Sequence, residues 1–267
     1  YGHGAVQIAR LLQEKDYIWG YATATLDEAV ILRKKGIEKP ILVLGTVFPD
    51  QRAAMIEHEV RMTLYTEEMA AEVSDLATRM GKDVHIHIKL DTGMSRLGFP
   101  ICEESADAIE RISKMPHLQM EGMFTHFAKA DEEDKSFTEK QLNAYLWMKQ
   151  RLEEKGVQFS YYHCSNSAGI IDVPEANMDL VRAGISIYGL YPSGDVNKAN
   201  VPLKPALQWV SHVAHVKWVE AGTPVSYGGT YVTDRRTKLA TIPVGYGDGY
   251  PRSLSNKGYV LIKGQKA

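Results

Sequence analysis

The chain has 267 residues, 44% hydrophobic and 24% charged, with a formal net charge of -2 and a mean hydropathy of -0.26. These values describe an ordinary globular protein and give no sign of a nucleic-acid or anionic-membrane partner; no apolar run approaches the roughly 20 residues of a membrane span. Two cysteines, Cys102 and Cys164, form neither a disulfide framework nor a metal-ligand spacing, so a reducing, cytoplasmic setting is expected.

The opening YGHGAV has no Met and no signal peptide, and the closing VLIKGQKA stops just after a strand-like segment, so the chain reads as a fragment of a longer protein, cut at both ends. Residues 5–15 predict an amphipathic helix and YIWGYAT (17–23) a strand. A helix opens at Thr25, with Glu28 three residues on completing a capping-box signature. Then come a strand at 41–45, a helix from Asp50, a strand at 61–65 and a helix over 67–80. A strand from 84, a helix over 103–114, a strand near 118–125 and a long helix near 136–155 follow. A strand at 161–164, a short helix from Asn166 and a strand at 179–182 complete the series.

Seven strands, each followed by a helix or helical turn, in a chain that begins in the loop after one more, predict a (β/α)8 TIM-type barrel lacking its first strand. The competitor is an open doubly wound sheet, whose strands are near-continuously apolar. The segment VHIHIKLD (84–91) favours the barrel. Val84, Ile86, Ile88 and Leu90 alternate with His85, His87, Lys89 and Asp91, so one face carries a row of ionisable groups. Such a row belongs in a closed polar interior; on a half-exposed edge strand it would have to face water.

Beyond about residue 203 the pattern changes. LQWVSHVAHVKWV (207–219) alternates in strand fashion, and PVSYGGTYV, KLATIPV and GYVLIKG follow as short strands between turns. The expected organisation is a barrel over 1–202 and the N-terminal portion of a mostly β domain over 203–267, joined through SGDVNKANVP (193–202).

In such barrels chemistry sits where the strands end. YGHG (1–4), DTGMSRLGF (91–99), THFAKAD (125–131), HCSNSA (163–168) and RAGISIYG (182–189) all fall at that rim. Two of these loops suggest an anion holder, with Asn166 and Ser167 opening one short helix and Gly184 and Ile185 another, just past Arg182. Ordinary helix capping accounts for either loop alone.

Taken with KLDTGMSRLGF, RAGISIYGLYPS, PVSYGGTY and IPVGYGDGYPR, these segments make the chain resemble the alanine racemases, pyridoxal-phosphate enzymes of fold type III, in order over nearly its whole length. The resemblance implies a (β/α)8 barrel followed by a β domain, and a homodimer. It implies racemisation of L- and D-alanine by two-base α-proton transfer on a pyridoxal-phosphate imine, supplying D-alanine for peptidoglycan. The family's Schiff-base lysine would lie just upstream of Tyr1 and is absent from this sequence.

By the same resemblance, Tyr1, Ser167, Gly184 and Ile185 hold the cofactor phosphate and Leu44 lines the cofactor. Arg182 bonds the pyridine nitrogen, and His126 orients Arg182 and couples to the catalytic tyrosine. Arg96 contacts the ring hydroxyl and the substrate carboxylate. Lys89, carbamylated in some members, positions Arg96, while Asn166 and His163 support the site. Tyr227, supplied in trans, is the second catalytic base, and Tyr246 and Arg252 lie near the substrate entrance.

Rivals from other classes are weighed on the same residues. A metal-dependent barrel hydrolase would use His85, His87, His126 and His163 with a carbamylated Lys89. However, His85 and His87 sit early in one strand, below the rim, and no metal is expected. A non-catalytic pyridoxal-phosphate carrier would lack the β domain that contains Tyr227. A racemase of another amino acid, such as serine, remains open.

Overall fold

The structure is a computed structural model and describes residues 2–267; Tyr1, assigned above to the cofactor phosphate, lies outside the described residues. The chain divides into two units, one ending at Leu207 and the other spanning Gln208–Ala267.

In the first unit, six strands pair in parallel and in strict chain order: β1 Tyr21–Thr23, β2 Ile41–Val43, β3 Arg61–Leu64, β4 Val84–Lys89, β5 Leu118–Phe124 and β6 Tyr161–His163. Consecutive order with no reversal is the barrel's signature, since a doubly wound sheet must switch direction once. The helices between them are α1 Ala5–Gln13, α2 Leu26–Lys34, α3 Arg52–Glu57, α4 Glu67–Met80, α5 Glu103–Ile112 and α6 Ser136–Glu154, with α7 Ser167–Asp172 after β6.

Their faces follow from sequence. In α4 the buried positions are Ala70, Val73, Ser74 and Ala77, a single stripe at helical spacing. Thr66 caps the start by accepting from the Met69 amide, and Gly81, at φ +62°, ends the helix in a left-handed turn. The predicted box at α2 forms: Thr25 accepts from the Glu28 amide, and Glu28 accepts from the Thr25 amide at 3.1 Å.

Strand β4 lies between β3 and β5, so its polar row cannot face water from an edge. Ile86 and Ile88 are fully buried, and so are His87 and Lys89 on the opposite face, at 0% and 2% exposure. Only His85, near the strand's start, is exposed. Side chains reach over the intervening strand on this face. Arg61 of β3 meets Glu121 of β5 at 3.1 Å, and His87 of β4 meets His163 of β6 at 2.9 Å. Pairing by alternate strands is how a barrel interior is layered.

The reach from β4 to β6 depends on one small residue. The β4–β5 register shifts between Ile86, opposite Met120, and His87, opposite Gly122, which leaves Glu121 as the extra residue of a bulge. A Cβ on Gly122 would lie 2.3 Å from His87 Nδ1, so only glycine lets the imidazole cross β5.

Three expectations change. The segment at 179–182 is not a strand: the Asp179 carboxylate accepts the Tyr162 amide, and the Asp179 and Leu180 amides both turn to the Tyr162 carbonyl. Captured by a side chain, that amide is not available to a regular ladder. The strand predicted over 17–23 is confined to Tyr21–Thr23, where it pairs with β2. The strand predicted from 207 contracts to His215–Val219, because its antiparallel partner Thr237–Thr241 is only five residues long.

In the second unit these two form β7 (His215–Val219) and β10 (Thr237–Thr241). Two further short antiparallel pairs are β8 Pro224–Val225 with β9 Tyr231–Val232, and β11 Leu261–Ile262 with β12 Gln265–Lys266. Among the described residues, no helix is long and apolar enough to cross a membrane.

Gly122→Ala tests the crossing over β5. It is expected to destabilise the protein by about 1–3 kcal/mol through overpacking, read as a lower urea midpoint at unchanged slope.

Candidate active site

Arg182 gathers the strand ends. Its backbone amide donates a hydrogen bond to the Ser165 carbonyl. Nη1 donates to His163 Nδ1 at 2.7 Å and to the His163 carbonyl at 3.1 Å. Nη2 donates to the carbonyls of Thr125 at 2.6 Å and Cys164 at 2.8 Å, with His126 Nδ1 at 3.5 Å. The guanidinium also lies 5.2 Å from the Phe124 ring centroid. Burial lowers its pKa to about 10, which still leaves it protonated at neutrality. Its Nε is buried and has no partner among the described residues. A buried donor with no acceptor is rare in a native protein and marks a place for one.

A second feature is built where α7 begins. Asn166 caps α7, its Oδ1 accepting from the Gly169 amide at 3.0 Å, while its Nδ2 donates to the Phe127 carbonyl at 3.1 Å. Next to it, Ser167 Oγ accepts from the Gly184 amide at 2.9 Å and the Ser186 amide at 3.3 Å, and meets Ser186 Oγ at 3.0 Å. Two amides and the Ser186 hydroxyl thus converge on Ser167 Oγ, with Ile185 between the two amide donors at the start of the short 3-10 turn Ile185–Tyr188. That donor set suits a phosphate oxygen.

The remaining barrel-side groups carry charge or respond to it. Lys89 is buried, and its Nζ, which has no hydrogen bond or ion pair among the described residues, lies 5.2 Å from the Phe124 ring centroid. Burial, followed by repulsion from Arg96 and Arg182, lowers its pKa to about 8. Arg96 is exposed in the loop after β4. Asp91 shapes that loop by accepting the Gly93 and Ser95 amides, and Gly98, at φ +139°, packs so closely that a Cβ would lie 2.4 Å from the Asp91 nitrogen. The Arg96 guanidinium thus acts on the Lys89 ammonium as a like charge.

His126 is half-buried. Burial, then Arg182, Lys89 and Arg96, depress its pKa to about 3, so it is neutral at physiological pH. Leu44, just past β2, is half-buried, and its amide donates to the Thr23 carbonyl. In the second unit, Tyr227 and Tyr246 each open a short 3-10 turn and are 84% and 68% exposed. Arg252 opens a third such turn and is exposed.

Gln141 escaped the sequence reading. On α6 its Oε1 accepts from the Ala128 amide, and its Nε2 donates to the His126 carbonyl and to Thr92 Oγ1, clamping the loop that carries His126. The signal was present: Thr138 and Gln141 are polar, yet share a buried stripe with Leu142, Tyr145, Met148 and Leu152. The metal reading finds no support in this geometry. His87 and His163 use their ring nitrogens on each other, on Glu121 and on Arg182. Among the described residues, no three His, Cys, Asp or Glu side chains form a metal-holding group.

With this geometry established, comparison with known proteins is direct. Residues 1–192 match the family model described as alanine racemase, N-terminal domain, and residues 206–267 that of alanine racemase, C-terminal domain. The chain belongs to the alanine racemase family. The alanine racemase of Desulforamulus reducens is 45% identical over 267 residues, which cover 100% of this chain and 72% of that protein. A solved alanine racemase of Clostridium difficile 630 superposes with a TM-score of 0.91 at 42% identity, covering 100% of this chain and 69% of that one. Its complex with cycloserine gives a TM-score of 0.89 at 40% identity, covering 100% and 68%.

The His126 shift predicts a pH effect on stability. Its folded pKa, about 3, lies below the ordinary histidine value of 6.5, so the unfolded chain binds the extra proton first as pH falls. Stability should therefore fall between about pH 6.5 and 3. His126→Gln should flatten that part of the curve, measured by urea unfolding at stepped pH.

Proposed function

We propose that the full-length protein interconverts L- and D-alanine with bound pyridoxal phosphate. The observation that carries this reading is the buried Nε–H of Arg182, which has no partner among the described residues, together with a separate cluster of amides and hydroxyls around Ser167. The cofactor has matching groups: a ring nitrogen that can accept and a phosphate that needs several donors. When bound, pyridoxal phosphate supplies an electron-withdrawing heterocycle that makes the α-proton of an amino acid removable.

This chain's residues do the rest. Arg182 can only donate, so it would hold a ring nitrogen opposite it as an unprotonated acceptor, and the bound group would then withdraw electrons less strongly. That restraint favours simple return of the proton over side reactions such as transamination. Ser167, with the amides of Gly184 and Ser186 and the neighbouring Ile185, holds the phosphate, and Leu44 packs on the cofactor. Arg96 binds the substrate carboxylate and the ring hydroxyl. His126 is neutral and so adds no charge to a site already rich in cations; it orients Arg182 and couples to the catalytic tyrosine.

Racemisation removes a proton from one face of the α-carbon and returns one to the other, which calls for two placed acid–base groups. The partner subunit's Tyr227 serves one face in a homodimer, with Tyr246 and Arg252 near the entrance. The lysine expected upstream of Tyr1 serves the other. The product's role is to supply D-alanine for peptidoglycan from the cytoplasm.

Lys89 is proposed to carry a carbamate. A buried ammonium among cations is costly. Its depressed pKa, about 8, leaves a fraction of neutral amine near neutrality, whose nitrogen attacks carbon dioxide and releases an N–H proton to solvent. The resulting anion would pair with Arg96 where the ammonium repels it. A carbamate signal in the 13C spectrum after 13C-bicarbonate labelling, absent in Lys89→Ala, is the expected result.

The functional test is optical. Purified full-length protein with pyridoxal phosphate should abolish the rotation of an L-alanine solution and incorporate solvent deuterium at the α-carbon; unchanged rotation would refute the reading. Tyr227→Phe should slow L-alanine turnover by about 10²–10⁴-fold, the range for a lost acid–base group. Exchange of D-alanine in D2O, served by the other base, should persist.

A further inference from the structure

Behind Arg182 runs a chain of hydrogen bonds that leads away from the rim. Arg182 Nη1 meets His163 Nδ1 at 2.7 Å, His163 Nε2 meets His87 Nδ1 at 2.9 Å, and His87 Nε2 meets Glu121 Oε2 at 3.1 Å. Both imidazoles are buried, and their rings sit edge to face with centroids 5.1 Å apart. Glu121 is also gripped by Arg61, through Nε at 3.1 Å and Nη2 at 3.3 Å, and approached by His85 at 3.4 Å.

The direction of every link is determined. A guanidinium has no acceptor, so His163 Nδ1 must accept and its proton must sit on Nε2. His163 then donates to His87 Nδ1, which places the second proton on His87 Nε2, facing a carboxylate that can only accept while ionised. Burial works against that charge, but the bonds from His87 and Arg61 outweigh it and hold Glu121 at about 2. Burial and neighbouring cations keep both histidines below the usual imidazole range and thus neutral.

We propose that Glu121 is a positioning residue for Arg182: acting through His87 and His163, it fixes both imidazoles as neutral Nε2–H tautomers and so fixes the plane of the guanidinium. With Nη1 committed to His163 and Nη2 to strand-end carbonyls, the single donor left for a ligand is Nε. Reversing the chain would put an N–H of His163 against an N–H of Arg182 and rotate the guanidinium away. Glu121 owes its place to the bulge in β5, and it lines an open cavity of about 200 Å3 with His85, Gln119, Met120, Ser160 and Tyr161. The geometry of Arg182 is thereby set from residues outside the rim loops. Its relevance to catalysis rests on the reading that Arg182 holds the cofactor ring nitrogen.

The test uses full-length holoenzyme labelled with 15N-histidine. In the wild type, His87 and His163 should both show a protonated Nε2 and a bare Nδ1 at neutral pH. A proton on either Nδ1 overturns the proposal, whatever any variant does. In Glu121→Gln the amide can donate to His87 Nε2, so Nδ1–H forms should appear. kcat for alanine should fall about tenfold, the lower end for loss of a supporting hydrogen-bond partner. KM should change less than about twofold, as for an interaction felt mainly in the transition state. Glu121→Asp, which keeps an acceptor-only group, should restore the wild-type tautomers and most of kcat. Altered tautomers with unchanged kcat in the glutamine variant, or equal loss in the aspartate variant, would overturn the positioning role. Wild-type protein that shows the expected tautomers but no racemisation would discard the racemase reading and leave the hydrogen-bond chain standing.

Discussion

Everything at the rim of the first unit depends on how a guanidinium is buried without a carboxylate. Arg182 is held by main-chain carbonyls of Thr125, His163 and Cys164, which are oxygens that no titration can remove. Thr125 directly follows β5, His163 ends β6 and Cys164 follows it, so the arginine ties two strand ends together while they hold it in place. A carboxylate partner would neutralise the charge and weaken what Arg182 can offer a ligand. Carbonyls supply partial charges and leave the positive charge intact.

That choice has an electrostatic consequence. Arg96 and Arg182 both repel the Lys89 ammonium, which has no ion pair among the described residues and which carbamylation would convert to an anion. His126, close to all three, is driven neutral. Uncompensated cations in a partly buried cluster are destabilising, and an anion that binds only the folded state recovers that stability. A site so arranged favours bound negative charge, whether a carbamate on Lys89 or the acidic groups of a ligand. Pyridoxal phosphate with an amino-acid carboxylate meets that demand. The electrostatics and the donor geometry around Ser167 therefore point to the same chemistry from independent directions.

The sequence made the barrel legible where the side-chain period carried the information. The alternation of Ile86 and Ile88 with His87 and Lys89 required a polar interior, and the structure buries all four. It misled where a side chain replaced the backbone as hydrogen-bond partner. Nothing in the local pattern around Leu180 and Val181 reveals that Asp179 takes the Tyr162 amide and ends regular pairing there. The rim loops were readable because their residues are polar in otherwise apolar surroundings. Gln141 was hidden because it acts from the helix behind the loop, though its place on a buried stripe was a usable sign.

The layer beneath the rim was illegible for a different reason. Glu121 and Gly122 stand side by side in a strand that reads as apolar, and either alone looks like a defect. Together they are a device: the bulge turns the carboxylate inward, and the missing Cβ opens a passage for His87 to reach His163 across β5. Neither residue has meaning without the other, or without the alternate-strand layering that brings β4 and β6 within one hydrogen bond. Contacts of this kind depend on curvature, which is a property of the assembled sheet. A glycine beside an acid inside a barrel strand is thus a sequence feature worth reading as a crossing point, and here it leads from the body of the sheet to the arginine at its rim.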